Sequence, residues 1–435
     1  MISKLIFFLF ILFPIAVDAQ VLTVEEAAKI GIENNFDIII AAKRAEISEN
    51  NNSFGNAGYF PSVDITGSAE RSINDVTQDR SDGSTITIPT AESTSLQAQA
   101  GVNWVIFDGF GMFAAKDRLS REEEAEKLRL KSQIENKLLE IYSVYYDIVR
   151  IKNETKVREQ AVDVSRERVR IMNDRFELGN ASKLNVLQAQ VDLNSDIADS
   201  ILAVTVIENR KIDLNKVLGR DPNTKFNVDT LLQLNEITGI NELLASVKEN
   251  NTEVKLAEKN IEIAQEITAE NRSDLLPEVN LFGGYSYFNS NSDYGYATYN
   301  RSHGWNFGLG LSYNVFNGYN TNRRIENSLI EQDIQRTELN LITNDMLALV
   351  GKNYNEYQNY LALAELRRTN VEVARENFEI SRERLDLGMI SPVEYRDAQR
   401  NFTQAQNELV NAIYNAKVKE LNLMLLSGRL LGEPE

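Results

Sequence analysis

Cysteine is absent from all 435 residues. Disulfides, thiolate metal sites and lipidation at an N-terminal Cys are therefore excluded. Histidine occurs once, as His303 in the segment RSHGW, which points to an interfacial surface and away from a metal centre or His-based catalysis. Proline is scarce, seven residues against a hydrophobic content of 43%, a balance that excludes wholesale disorder. Basic residues are outnumbered, 46 to 64, and the net charge of −18 repels nucleic acid and argues against a polybasic membrane-surface protein. Beyond the N-terminus no apolar run reaches the roughly 20 residues of a spanning helix. No glycine-rich phosphate loop follows a strand, because FGGY and FGLGLS lie inside alternating segments where glycine serves packing or curvature. The acidic run REEEAEK reads as a solvated helix face. Neither an enzyme nor a metal or other cofactor is expected.

What is present begins with MISKLIFFLFILFPIAVDAQ: one lysine, an apolar run from Leu5 to Val17, then Val17-Asp18-Ala19 before Gln20. That small-x-small end has the form a signal peptidase cleaves, and the run is short for an anchor, so residues 1–19 read as an export signal.

The rest is one plan used twice. IENN at 32–35 and KENN at 248–251 are 216 positions apart, as are Pro61 and Pro277; Phe107-Asp108-Gly109 and Phe316-Asn317-Gly318 are 209 apart, as are Gly179 and Gly388. The lost seven residues fall where the first copy carries INDVTQDRSDGSTITIPTAES, read as a longer polar loop. The expected organisation is a first repeat over 20–219, a linker over 220–239, a second repeat over 240–429 and a tail over 430–435. Within the first, helices are expected over about 23–58, 112–178 and 182–218, with strands over about 60–72 and 94–107. Within the second, the helices are about 240–275, 320–387 and 391–426 and the strands about 277–289 and 303–316. The segment Met112 to Leu178 contains neither Pro nor Gly and would be roughly 100 Å long as one helix. Its apolar positions step at coiled-coil spacing through Ile134, Leu138, Ile141, Tyr145 and Ile148, and later Arg168 and Arg175 fill two gaps in that pattern. Helices this long need neighbours.

In the strands, Trp305, Phe307, Leu309, Leu311 and Tyr313 alternate with polar or glycine residues, as do Val102 and Trp104 in the first copy and Tyr285 and Tyr287 in EVNLFGGYSYF. Apolar-out, polar-in strands with aromatics near their ends fit a transmembrane barrel, and these nine residues are the expected lipid-facing set. A half-buried hairpin packed on helices has the same period. Four strands cannot close a barrel, and open edges are not tolerated in lipid, so several chains would each donate four; a trimer's twelve would leave a water-filled pore, a dimer's eight would not.

The paired LG turns followed by xxSxxxxxxAQ (Gly179 to Gln190, Gly388 to Gln399), the two ENN helices, VIFDGFG, NVFNGY and the LG or SG endings resemble the TolC-like outer-membrane efflux family over nearly all of the mature chain. The resemblance implies a mainly α protein with a transmembrane β part, the TolC-like α/β barrel. It further implies a homotrimer with a twelve-stranded barrel in outer-membrane lipid and a helical tunnel across the periplasm. Such a trimer is a passive exit duct for a tripartite efflux pump or type I secretion system, recruited by a periplasmic adaptor and an inner-membrane transporter. The alternative function is a periplasmic coiled-coil scaffold or adaptor without a membrane barrel.

In RLDLGMISPVEYRDAQ, Gly388 suits a left-handed helix end, and Ser391, Pro392 and Glu394 supply an N-cap, a proline at N1 and a capping-box acid at N3. Asp397 has no such explanation beyond being an acid near a helix start. The resemblance implies that Asp397 and Glu394 form a periplasmic constriction, whereas a solvated helix cap is the reading without it. It also implies that Leu178, Gly179, Leu184, Leu387, Gly388 and Val393 meet the adaptor; ordinary turn chemistry accounts for them equally well. The family's closing tyrosine and arginine are replaced by Leu385 and Ile390, with Arg384, Arg396 or Lys183 as possible substitutes, and the first copy carries Asn185 and Gln188 at the acid positions.

Overall fold

The computed structural model describes residues 21–235 and 237–431. The expected signal at 1–19 lies outside the described residues. In order, the elements are β1 (Val21–Leu22), α1 (Val24–Asn34), α2 (Phe36–Asn51), β2 (Ser62–Asp79), β3 (Thr85–Asp108), α3 (Gly111–Glu177) and α4 (Lys183–Val217). They continue as β4 (Asn227–Val228), α5 (Ile240–Asn250), α6 (Thr252–Ser273), β5 (Glu278–Ser292), β6 (Tyr299–Ser312), α7 (Asn320–Asp386) and α8 (Pro392–Leu426). Internal contacts divide the chain into two units, one from the described parts of 1–42, 130–254 and 343–435, the other from 43–129 and 255–342. Both repeats contribute to each unit, so neither repeat is a separate body.

The first expected helix of each copy is broken at the second asparagine of the ENN motif, and in the first copy it ends at Asn51, short of the expected 58, in a run of turns. Asn35 is extended, with ψ 125°, and so is Asn251, with ψ 126°. Asn35 Oδ1 accepts the backbone N–H groups of Asp37 and Ile38, while its amide donates to Val217 O at 2.6 Å. In the second copy Asn251 accepts from Glu253 and Val254 and donates to Leu426 O at 2.9 Å. One side chain thus starts α2 or α6 and satisfies an orphan carbonyl at the end of α4 or α8. Opposite it, Gly219 and Gly428 have φ of 69°, and a Cβ there would sit 2.2 and 2.5 Å from the carbonyls of Asn34 and Asn250. That contact admits only glycine. Replacing Asn251 or Asn35 with Ala is expected to destabilise the chain by about 2–4 kcal/mol, from the lost cap and the stranded carbonyl. Thermal melting checks this, and a change under about 0.5 kcal/mol, the ordinary surface-substitution range, would contradict it.

The heart of the first unit gathers Ile141, Tyr145, Ile148 and Val149 of α3 with Ala27, Leu214 and Leu218, and Phe226 and Val228 from the linker. The linker is pinned: β4 pairs in parallel with β1, Lys152 Nζ donates to Val228 O at 2.8 Å, and Asn235 N donates to the buried Glu420 at 3.1 Å.

In the second unit the four long strands form one antiparallel sheet in the order β2-β3-β5-β6. Register aligns Ile65, Ala100, Tyr285 and Trp305 in one row and Gly67, Ala98, Tyr287 and His303 in the next. Val63, Val102, Gly283 and Phe307 make a third, and Trp104, Leu281 and Leu309 a fourth, so these apolar residues share one face. The other face carries Asp64, Thr66, Gln99, Asn103, Ser286 and Asn306. Gly308 leaves room there for the Phe282 ring, which a Cβ would meet at 2.7 Å.

Two expectations need correction. The strands run 14 to 24 residues, and the supposed polar loop at 73–93 is itself the outer half of β2 and β3, turning at Arg80 to Ser84. Its polarity masks the β-branched run TITI, whose backbone groups are satisfied by strand pairing. Further, β6 starts at Tyr299 and ends at Ser312. Tyr313 therefore lies just past the strand, because β6 takes its register from Glu278–Asn291 of β5.

Candidate functional site: the helical tip and the outward sheet face

At the tip, α3 and α7 end in the same way. Asn180 N donates to Arg175 O at 2.7 Å and Gly179 N to Phe176 O; Met389 N donates to Arg384 O at 2.8 Å and Gly388 N to Leu385 O. With Gly179 at φ 75° and Gly388 at φ 73°, both are Schellman closures. The chain then re-enters a helix behind a serine cap, Ser182 in one copy and Ser391 in the other. These turns leave Leu178, Leu184, Leu387 and Val393 exposed. Beneath them Met172, Val186, Ala189, Phe378, Leu385 and Tyr395 form an apolar cluster, with Ile390 packed against it. Leu385 and Ile390 thus serve hydrophobic packing, which is why neither can form a polar latch.

The two candidate gate acids behave differently. Glu394 closes a capping box, accepting from Ser391 N at 2.7 Å while its own N–H donates to Ser391 Oγ at 3.2 Å. The backbone hydrogen bond from Ser391, then the side-chain one, hold the Glu394 carboxyl below the usual carboxylate range. Its contribution to the cap is present above the ordinary glutamate pKa and is lost only as pH falls through the lowered value. Asp397, one turn on, is exposed, and among the described residues no hydrogen bond or ion pair holds it. It lines a groove of about 700 Å³ together with Asn185, Gln188 and Pro392. Gln188 and Asp397, the same position in the two copies, therefore meet across one groove.

Of the substitute latches, Lys183 lies over the Phe176 ring, 5.5 Å from its centre, and Arg384 is exposed. Arg396 instead bonds both oxygens of Asp196 on α4, at 2.6 and 2.7 Å. Sequence reasoning missed Asp196, Ser165 and Asp192. The signal was the arginines in the apolar pattern of α3: Arg168 is 2% exposed and donates to Asp192, and Arg175 donates to Leu385 O.

On the sheet, eight of the nine expected lipid-facing residues lie on one face by register, Tyr313 being the exception. Phe307 is 85% exposed and Trp305 79%, and Ile65, outside the expected set, is 83%. Trp104 donates its indole N–H to Tyr59 O at 2.8 Å. The apolar face is open, and among the described residues β2 and β6 are the edge strands of the sheet; an edge strand leaves a row of backbone groups unpaired.

A profile of the family described as "Outer membrane efflux protein" matches residues 30–220 and 243–429. The chain belongs to the outer membrane efflux protein family. Among its curated relatives is the outer membrane efflux protein BepC of Brucella suis, 18% identical over 76% of this chain and 72% of that one. The alkaline protease secretion protein AprF of Pseudomonas aeruginosa is 22% identical over 95% and 86%. The fold is that of the Campylobacter jejuni CmeC outer membrane channel, with a TM-score of 0.76 at 15% identity over 95% of this chain and 87% of that one. This outer membrane efflux protein is accordingly an exit duct of the outer membrane and not a periplasmic scaffold, with its helical part in the periplasm. Its family is one of passive transport channels.

Proposed function

We propose that three copies of the chain close a twelve-stranded barrel in outer-membrane lipid and that their long helices together wall a tunnel across the periplasm. The observation that carries this is the four-stranded sheet, apolar on one exposed face and unpaired at β2 and β6. In lipid every backbone group needs a partner, so four strands must join others, and twelve enclose water. Helices α4 and α7 support the same reading, with Leu187, Val191, Leu202, Leu341, Leu366 and Val373 exposed along them. A neighbouring copy would cover them.

In this reading the trimer is the passive duct of a tripartite pump or a type I system, as relatives named for efflux and for protease secretion suggest. A periplasmic adaptor docks on the tips at Leu178, Gly179, Leu184, Leu387, Gly388 and Val393 and connects the duct to an inner-membrane transporter. Asp397 from each copy rings the closed end. Glu394 caps its helix in the state described and joins that ring only if the box opens. Detergent extracts analysed by light scattering are expected to give three chains per particle, with the protein resisting extraction by salt or alkali. A monomer released without detergent would defeat the reading.

A further inference from the structure

The sheet joins its helices at Ser62, Asp108, Glu278 and Ser312, so with the helical part in the periplasm the opposite strand ends point to the cell exterior. Along β6 the apolar face carries Leu311, Leu309, Phe307, Trp305, His303 and then Arg301. The ten residues from Leu311 to Arg301 span about 33 Å of strand, or about 25 Å upright at a barrel's tilt, which is the height of a barrel's apolar band. Arg301 therefore stands where the outer leaflet's headgroups begin. Two rows close that end: Ala69, Leu96, Asn289 and Arg301, then Arg71, Thr94, Asn291 and Tyr299. Ala69, Leu96, Arg71 and both asparagines line a groove of about 320 Å³ there.

The polar groups of this rim are largely free. Arg301 is exposed, its guanidinium lies over Tyr299, 5.5 Å from the ring centre, and among the described residues no carboxylate pairs with it. The ring holds the charge against the face. Arg71 bonds both oxygens of Glu92, at 2.9 and 2.7 Å. Those two side chains are 62% and 45% exposed, and so open an ion pair is weak and easily exchanged for a phosphate. Asn289 Oδ1 is shut off from solvent and accepts no hydrogen bond among the described residues, which is costly until a donor reaches it. An apolar floor, two guanidinium groups and a stranded acceptor fit a ligand with acyl chains, phosphates and hydroxyl or amide donors. Arg71 on β2 and Arg301 on β6 are three strand spacings apart, about 14 Å, the reach of a disaccharide phosphorylated at both ends. A glycerophospholipid carries one phosphate and cannot span them. We propose that this rim seats the phosphorylated amino-sugar headgroup of an outer-leaflet glycolipid of the lipid A type, with Arg301 and Arg71 on its phosphates and Asn289 Oδ1 accepting from the sugar. This rests on the reading that the apolar face meets outer-membrane lipid.

The test uses the full-length protein in detergent, with bisphosphorylated lipid A, its monophosphoryl form and phosphatidylglycerol as probes. Native mass spectrometry reads binding, and melting is measured in parallel. Lipid A is expected to bind once per chain and at least about tenfold more tightly than phosphatidylglycerol, with the monophosphoryl form between them. Arg301→Gln is expected to lose about tenfold for lipid A while melting as wild type does without lipid, because the side chain is exposed and unpaired. Arg301→Lys keeps the charge but not the two-pronged geometry, and is expected to fall between. Asn289→Leu is expected to weaken lipid A about threefold or more, through the lost acceptor, and to leave phosphatidylglycerol unchanged. Arg80→Gln, the same loss of charge at the turn between β2 and β3, is the control and should bind as wild type does. Wild-type affinity for lipid A in Arg301→Gln, or phosphatidylglycerol bound as tightly as lipid A, would overturn the proposal. So would equal losses in Arg301→Gln and Arg80→Gln, the mark of attraction by charge alone. The reading beneath it fails separately: if Phe307→Arg, in the middle of the band, assembles as wild type does, this face does not meet lipid.

Discussion

Replacing Asp397 with Ala is expected to raise single-channel conductance and to weaken La³⁺ block at least about tenfold, the change that ~1.4 kcal/mol makes in a binding constant. Clustered carboxylates both attract cations and hold them at a constriction, so removing one per chain lowers local cation occupancy and widens the passage. Asp397 is suited to this because it is exposed and no described group neutralises it. Glu394 gives the contrast. Its carboxylate is already engaged by Ser391 N, and Glu394→Gln preserves the capping geometry while removing the charge. That variant is expected to block almost as wild type does. A loss of block equal to that of Asp397→Ala would put Glu394 in the pore, and unchanged conductance and block in Asp397→Ala would take Asp397 out of it.

The second large effect concerns the sheet. Arginine at Phe307 or Ile65 is expected to cost about 2–4 kcal/mol per site per chain near the middle of the apolar band. Little assembled trimer should then be recovered from outer-membrane fractions. Both side chains are more than four-fifths exposed on the apolar face, and register places them in adjacent rows. Gln99→Arg, paired with Thr66 and Ser286 on the opposite face, is the control. It should assemble and change ion selectivity instead. Full recovery and unchanged melting of the Phe307→Arg trimer would show that this face does not meet lipid.

The long helices were legible from a few physical signals. A glycine closes each of the four, a serine caps α4 and α8, and their interiors hold no Pro and, Gly351 apart, no Gly, which places α3, α4, α7 and α8 within a residue of expectation. The breaks at Asn35 and Asn251 were not legible, although the repeated asparagines were visible. A mid-helix Asn reads as a weak helix former until the carbonyl it reaches, Val217 or Leu426, is known to lie beside it. The facing of the strands followed from their period of two, whereas their length did not. Residues 73–93 look like loop because Asp, Ser and Thr dominate, and pairing is a property of two segments that no single window displays. At the tip the caps were readable one by one. The Arg396–Asp196 pair, which the Ser165 hydroxyl joins, was not, since it depends on side chains of α3, α4 and α8 that only packing brings together.

The outer ribbon of β2 and β3 explains why the two halves differ in length where they do. From Val76–Asp79 across to Thr85–Ile88 the two strands pair only with each other, and β5 joins β3 from Ser93 onward. Adding or removing rungs at such a free end shifts no neighbour's alignment, so this stretch can drift in length and composition while the shared staves stay fixed. An inherited duplication could grow there without penalty to the rest of the wall.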